Sequence, residues 1–145
     1  MNIEVITTKL ELRIFGYSGI AANQDYAGTA FKLSGRMWQT VKGNEIKNKG
    51  KNIWVYEPNY NVFAGIELEG ISNTCSILQQ KDITLVNYTY YKHVGAYSVL
   101  KQVGENMRTE LRSKVLEPGL PYIEIYGHWT KDESKCETEL LMCLV

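Results

Sequence analysis

Glu124 stands between two tyrosines in the run Pro121-Tyr122-Ile123-Glu124-Ile125-Tyr126-Gly127-His128. The run alternates as a β-strand does, with Ile123 and Ile125 on one parity and Tyr122, Glu124, Tyr126 and His128 on the other. An unpaired carboxylate is costly to bury, so on such a strand it is exposed, paired or kept for a ligand. A carboxylate boxed by aromatic rings attracts a desolvated organic cation. Coulomb attraction is stronger there than in water, and each ring adds about 0.5–2 kcal/mol of cation–π energy. Desolvation also raises the pKa of such a carboxyl group, which suits general acid–base chemistry. The competing reading is an ion pair with a Lys or Arg across the sheet at its edge.

Other catalytic equipment is sparse. His93 and His128 are the only histidines, too few for a histidine-rich metal site, and nothing in the sequence calls for a metal or a cofactor. No GxSxG, HExxH, P-loop or GxGxxG motif occurs. His93, two residues before Gly95 at a strand-to-helix turn, reads as a hydrogen-bonding group at the helix start. Cys75, Cys136 and Cys143 have no CxxC spacing, and an odd count fits a reducing cytoplasm. Cys136 and Cys143 alternate with apolar residues and read as small hydrophobes.

Composition narrows the partners. The 145 residues fit one domain, 1–145. Sixteen basic against sixteen acidic residues argue against direct nucleic-acid binding, which wants a basic face. The N-terminus carries no basic and then apolar leader, and no run reaches the ~18 apolar residues of a membrane helix, so a soluble cytoplasmic protein is expected. Ten Tyr and three Trp against three Phe supply aromatic surface with polar handles. Such residues suit pockets and interfaces, although Tyr is also common at half-exposed strand positions.

The elements that must position these residues come in two similar sets. Residues up to about 25 read as strand, with a bend at Gly16 and Gly19. Residues 27–42 turn to helical period through Ala27, Ala30/Phe31, Ser34, Trp38 and Val41. A basic loop over 43–52 leads to a hairpin, Ile53–Glu57 and Val62–Leu68, and Gly70–Asn73 is a break. Ile83–Tyr91 reads as one strand. From Ala96 a helical stripe of Val99/Leu100, Val103, Met107, Leu111 and Val115 follows, with Lys101, Glu105, Arg108, Arg112 and Lys114 mostly on the other face. Residues 121–128 and Glu137–Leu144 form a second hairpin. The order strand–helix–strand–strand therefore occurs twice, over about 1–72 and about 77–145. Superposing the halves sets Trp54 and Tyr56 opposite Glu124 and Tyr126. With the helices covering the Ile53/Val55 and Ile123/Ile125 faces, the other faces would present Trp54, Tyr56, Tyr122, Glu124 and Tyr126 to a cleft between the halves.

A set of short segments carries a family resemblance. They are Phe15-Gly16, Met37-Trp38-Gln39-Thr40, Trp54-Val55-Tyr56, His93-Val94-Gly95-Ala96-Tyr97, Ile123-Glu124-Ile125-Tyr126 and the ending Thr138–Leu144. Together, over nearly the whole chain, they resemble the gyrase-inhibitor-like (GyrI-like) effector-binding domains. That group includes the effector domains of AraC- and MerR-type regulators and integron-cassette effector-binding proteins. The resemblance implies an α+β fold of two pseudo-symmetric β-α-β-β repeats, with antiparallel sheets and two long helices around a central ligand cleft. It implies Glu124 as the cleft carboxylate, with Trp38 and Tyr56 among its aromatic residues. Tyr126, Trp54, Tyr122 and Tyr97 complete the expected ligand-binding set. Members bind hydrophobic cationic drugs and dyes, and some are sensor domains. Here no helix-turn-helix is expected before the domain, Cys143 stands where many members have Pro, and the 43–52 loop bears on access to the cleft.

The leading expectation is a stand-alone binding module for amphipathic organic cations. A second is enzymatic. Some members hydrolyse cyclopropane-bearing, DNA-alkylating natural products, and in that case Trp38 would orient the substrate and Glu124 would activate water. A third is a protein-interaction role of the gyrase-inhibitor type through Asp132, Glu133, Glu137 and Glu139, a cluster that also reads as a solvated turn. Haem binding, found on related two-unit folds, would need a histidine in the cleft, and only His128 has the parity. A core inside one chain fits a monomer, and an edge strand offers a weak dimer.

Overall fold

Alternating apolar sequence becomes eight strands, and the two stretches of helical period become two long helices. A computed structural model describes residues 1–70 and 77–145. In chain order the elements are β1 (Glu4–Ile6), β2 (Leu10–Ile20), α1 (Tyr26–Gly43), β3 (Ile53–Glu57), β4 (Asn61–Ile66), β5 (Gln79–Leu85), β6 (Tyr88–Val94), α2 (Leu100–Ser113), β7 (Pro118–Tyr126) and β8 (Glu137–Leu144). Residues 71–73 of the expected break, and Cys75, lie outside the described residues.

All eight strands join one antiparallel sheet in the order β1-β6-β8-β7-β3-β4-β2-β5. The order is symmetric about its centre. Two β-α-β-β units, β2-α1-β3-β4 and β6-α2-β7-β8, meet where β3 pairs with β7, and this joint sets Trp54 beside Glu124 and Tyr56 beside Tyr122. The outermost strands are exchanged: β1 pairs with β6 and β5 with β2.

The expected strand Ile83–Tyr91 is two strands. Its first part pairs with β2 through Leu10 and Leu85, and its second pairs with β1 through Ile6 and Tyr88. The chain must turn a corner at Val86 and Asn87 to change partners, and Val86 is exposed there. The residues 7–9 make the matching corner between β1 and β2, so this two-stranded ribbon runs from one end of the sheet to the other. The sheet therefore curls on itself. One of its faces closes around Ile14, Ile53, Val55, Phe63, Ile83, Leu85, Tyr88, Ile123 and Leu141, and with the half-buried Ile6 every strand contributes to that cluster. Curling also brings backbone close to backbone. Gly16 pairs with Gly65, and a Cβ on Gly16 would stand 1.9 Å from the Ala64 carbonyl oxygen.

This closure corrects the expected layering. Neither α1 nor α2 covers the Ile53/Val55/Ile123 face, because the sheet buries that face itself. Both helices lie on the other face. Met37 and Val41 of α1 pack on Phe15, Tyr17 and Ile66. Ala30 of α1 and Leu100, Met107 and Leu111 of α2 pack around Tyr56, Val62, Tyr122, Leu140 and Met142. The helices thus wall the same face that carries Glu124.

Candidate ligand-binding site

The floor of the site is the β3/β7 joint. Glu124 is only 6 % exposed. Its Oε1 accepts hydrogen bonds from the Tyr56 hydroxyl at 2.7 Å and the Tyr126 hydroxyl at 3.0 Å, and its Oε2 accepts one from the Tyr122 hydroxyl at 3.3 Å. Alternation puts Tyr122 and Tyr126 two residues either side of Glu124 on one face, and register brings Tyr56 from the neighbouring strand. Burial pushes the Glu124 carboxyl above its ordinary 4.5, against the opposing pull of the three hydroxyls and of the Arg108 charge. Burial and then the Glu124 charge raise Tyr56, Tyr122 and Tyr126 as well, so the three phenols stay protonated and remain donors.

Two trains of rings run outward from this floor. Trp54 and Tyr126 have ring centroids 4.7 Å apart, and Tyr97 meets Tyr126 edge-on at 5.3 Å. On the other side Tyr56 stacks on Tyr122 at 5.7 Å, and Tyr26 meets Tyr56 edge-on at 5.4 Å. Ring pairs at these separations favour one another through their quadrupoles.

A cavity of about 950 Å³ opens above the floor. Sheet residues Trp54, Tyr56, Tyr122, Glu124 and Tyr126 line it from below. Tyr26, Ala27 and Phe31 of α1 line one wall, and Leu100, Lys101, Gly104, Glu105 and Arg108 of α2 line the other. Asp25, the N-cap of α1, also reaches the cavity while accepting the Gly28 backbone N–H. Phe31 and Trp129, each 72 % exposed, line it near solvent. The Trp54 indole N–H is buried in the wall without an acceptor among the described residues.

Six of the seven expected residues therefore converge: Glu124, Tyr56, Tyr126, Trp54, Tyr122 and Tyr97 all line one cavity. Trp38 does not. It packs, as Ile46 does, against the cluster of Met37, Val41, Phe15, Tyr17 and Ile66. It touches the site at one remove, because its indole N–H donates to Asn52 Oδ1, which also accepts from the Ser34 hydroxyl at 3.2 Å. Asn52 lines the cavity, and its carbonyl accepts the Tyr126 backbone N–H at 2.9 Å. Helical spacing put Trp38 on an apolar stripe but could not say that the stripe faces β2 and β4.

Other expectations are placed as follows. His93 is 9 % exposed and its Nε2 lies 3.1 Å from the Ala96 carbonyl oxygen, in the turn before α2. His128 lies past the end of β7, exposed and outside the cavity lining, so it offers no haem ligand there. Cys136 is a buried free thiol and Cys143 a half-buried one. Asp132 caps a tight turn through Ser134, and Glu137 pairs with Lys92 at 3.2 Å, as a solvated acidic turn does. Among the described residues no group of three His, Cys, Asp or Glu could hold a metal ion. No helix of the described residues is long and apolar enough to cross a membrane.

The lining residues that the sequence reading did not single out include Tyr26, Lys101, Glu105 and Arg108. Tyr26 falls between the expected loop 23–25 and the expected helix 27–42, and it is the first residue of α1. Lys101, Glu105 and Arg108 were placed opposite the apolar stripe because α2 is amphipathic, but the edge of its polar face borders the cavity.

Sequence comparison finds no matching protein family and no matching characterised protein. Solved structures do match. SAV2435 bound to tetraphenylphosphonium superposes with a TM-score of 0.66 at 19 % identity, over 100 % of this chain and 94 % of that one. The EcmrR C-terminal domain gives 0.69 at 13 % identity, over 100 % and 99 %. The fold is shared. It is the fold that the gyrase-inhibitor-like resemblance implied. A hydrolase from Listeria innocua also matches, with a TM-score of 0.58 at 13 % identity, over 99 % and 91 %.

Proposed function

We propose that this chain is a small-molecule binding domain whose ligand is an amphipathic organic cation anchored by Glu124. One observation carries the reading: a single buried carboxylate, fixed by three tyrosine hydroxyls, forms the floor of an aromatic cavity of about 950 Å³. The carboxylate has lost water without gaining a cation in direct contact, so it holds attraction in reserve for a positive ligand. Rings on both sides supply apolar area and cation–π energy to a flat or bulky cation. The cavity size suits a ligand of drug-like dimensions. The likeness in fold to a chain solved with tetraphenylphosphonium supports the same ligand class here.

The test is calorimetric titration with tetraphenylphosphonium and with a neutral analogue of similar size, on wild type and Glu124→Gln. Saturable binding of the cation, at least about tenfold weaker in the variant with the neutral compound unaffected, is the expected result. Equal affinity for cation and neutral analogue would overturn the reading.

A second reading, hydrolysis with Glu124 as general base, draws on the raised pKa of that carboxyl group and on the fold shared with a Listeria innocua hydrolase. It loses one of its two expected groups, since Trp38 lies outside the cavity lining. Turnover of a strained cyclopropane electrophile, abolished in Glu124→Gln, is the observation that would bring it forward.

A further inference from the structure

Glu124 is one pole of the cavity, and α2 supplies another. Lys101, Gly104 and Arg108 line the cavity along two turns of α2 at intervals of three and four, which places them on one stripe of the helix. The stripe is basic at both ends and bare in the middle. A Cβ built on Gly104 would lie 3.5 Å from Arg108 Nη1 and 3.6 Å from the Tyr122 hydroxyl oxygen. The missing side chain thus leaves the guanidinium and the phenol open to the same space. The Arg108 guanidinium carbon sits 5.3 Å from the Tyr122 ring centroid, so it already takes the cation–π position on that ring.

Neither cation is spent. Arg108 Nη1 contacts Glu105 Oε1 at 3.2 Å, but the Glu105 side chain is 60 % exposed, and exposed pairs of this kind yield easily to a better partner. A guanidinium carries five N–H donors in a fixed fork, and one contact leaves most of them unused. Among the described residues Lys101 has no ion-pair partner. A ligand that is only a cation would meet Glu124 while lying beside two positive side chains it cannot satisfy. A ligand with an anionic group as well would satisfy both poles.

We infer, on the basis of the cation-binding reading above, that the ligand is zwitterionic: an apolar cation whose positive charge faces Glu124 and whose carboxylate or comparable anionic group is held by Arg108 and Lys101. Arg108 is then the residue that sets specificity between zwitterions and simple cations. The fork of its guanidinium suits a carboxylate in a bidentate pose.

A matched dye pair tests this. Tetramethylrhodamine carries a free carboxylate, and its methyl ester is the corresponding simple cation of nearly the same shape. Fluorescence anisotropy would give the affinity of each for wild type, Arg108→Met, Lys101→Met and Glu124→Gln, with circular dichroism confirming the fold of each variant. The expected result is that wild type prefers the free carboxylate by about tenfold. Arg108→Met should abolish that preference by weakening the zwitterion while the ester binds equally well or more tightly. Lys101→Met should shift it in the same direction by less. If wild type binds the ester as tightly as the zwitterion, or if Arg108→Met weakens both dyes alike, the inference falls. Binding of the ester that depends on Glu124 would in that event leave the cation reading standing. Failure of both dyes to bind wild type would overturn both.

Discussion

Tyr56 donates a 2.7 Å hydrogen bond to Glu124 across a sequence separation of 68 residues, from β3 to β7. These are the central strands of the sheet and the joint between its two β-α-β-β units. The polar centre of the cavity is therefore also the seam of the fold. Neither unit builds it alone: one brings Tyr56 and Trp54, the other brings Glu124 and its two flanking tyrosines.

Tyr56→Phe removes the shortest of the three donors and keeps the ring. A hydrogen bond to an ionised acceptor contributes about 1.5–3 kcal/mol. Unfolding by urea should show a loss of that order at alkaline pH, where Glu124 is ionised, and a smaller loss at acid pH. Because the lost bond favoured the charged form, cation binding in the variant should need a higher pH to reach half its maximum. An unchanged binding profile would mean that Tyr56 only packs.

Glu124→Gln has a stability effect whose sign follows from burial. The folded-state pKa of Glu124 is raised above the ordinary 4.5. Between the unfolded and folded values the native state holds the extra proton, so stability falls as pH rises through that window. Below it the contribution of Glu124 is fully present, and above it the ionised carboxylate costs stability in the empty protein. Glutamine does not titrate. The stability of wild type minus that of Glu124→Gln should therefore decline from about pH 4.5 upward, at no more than about 1.4 kcal/mol per pH unit, and then level off. Denaturant titrations of both proteins across that range check it, and a difference that grows with pH would contradict the assignment.

The three tryptophans separate binding from support. Trp54 and Trp129 line the cavity, whereas Trp38 lies outside the lining and donates to Asn52. Quenching of intrinsic fluorescence by a cationic dye should shrink in Trp54→Phe and Trp129→Phe and persist in Trp38→Phe. Trp38→Phe should still weaken binding by a few fold, about 1 kcal/mol, because Asn52 loses one of its two side-chain donors. Quenching carried mainly by Trp38 would place the ligand elsewhere.

How much of this was legible in the sequence depends on distance along the chain. Tyr122, Glu124 and Tyr126 share a strand, so alternation alone put them on one face. Trp54 and Tyr56 were reached through the similarity of the two halves, which stands in for long-range contact. What failed were statements about which surface an element faces. The curl of the sheet depends on the β1–β2 and β5–β6 ribbon changing partners at its corners, and Val86 and Asn87 carry no turn signal strong enough to announce it. Once the sheet buries its own Ile53/Val55/Ile123 face, the helices must take the Glu124 face. That single change brings Lys101 and Arg108 to the cavity wall, while Trp38, packed against the Met37 cluster over β2 and β4, stays outside the lining. An amphipathic pattern separates apolar from polar residues, but it cannot distinguish open solvent from a wet cavity.

Gly104 offers a test of whether the cavity is maintained against stability. Glycine inside a helix costs about 1 kcal/mol relative to alanine, and Gly104 sits buried in the middle of α2. A Cβ there would make contacts of 3.5 and 3.6 Å, which are ordinary van der Waals distances, so alanine fits without strain. Gly104→Ala should accordingly raise the unfolding free energy by about 0.5–1 kcal/mol. Gly104→Leu extends into the space shared by Arg108 and the Tyr122 hydroxyl, and it should weaken dye binding by about tenfold or more while the helix still forms. Measured together, a stabilised alanine variant and a folded but binding-deficient leucine variant would mean that the bare turn of α2 keeps room for a ligand. Full binding by the leucine variant would instead put the ligand away from α2, and with it away from Arg108.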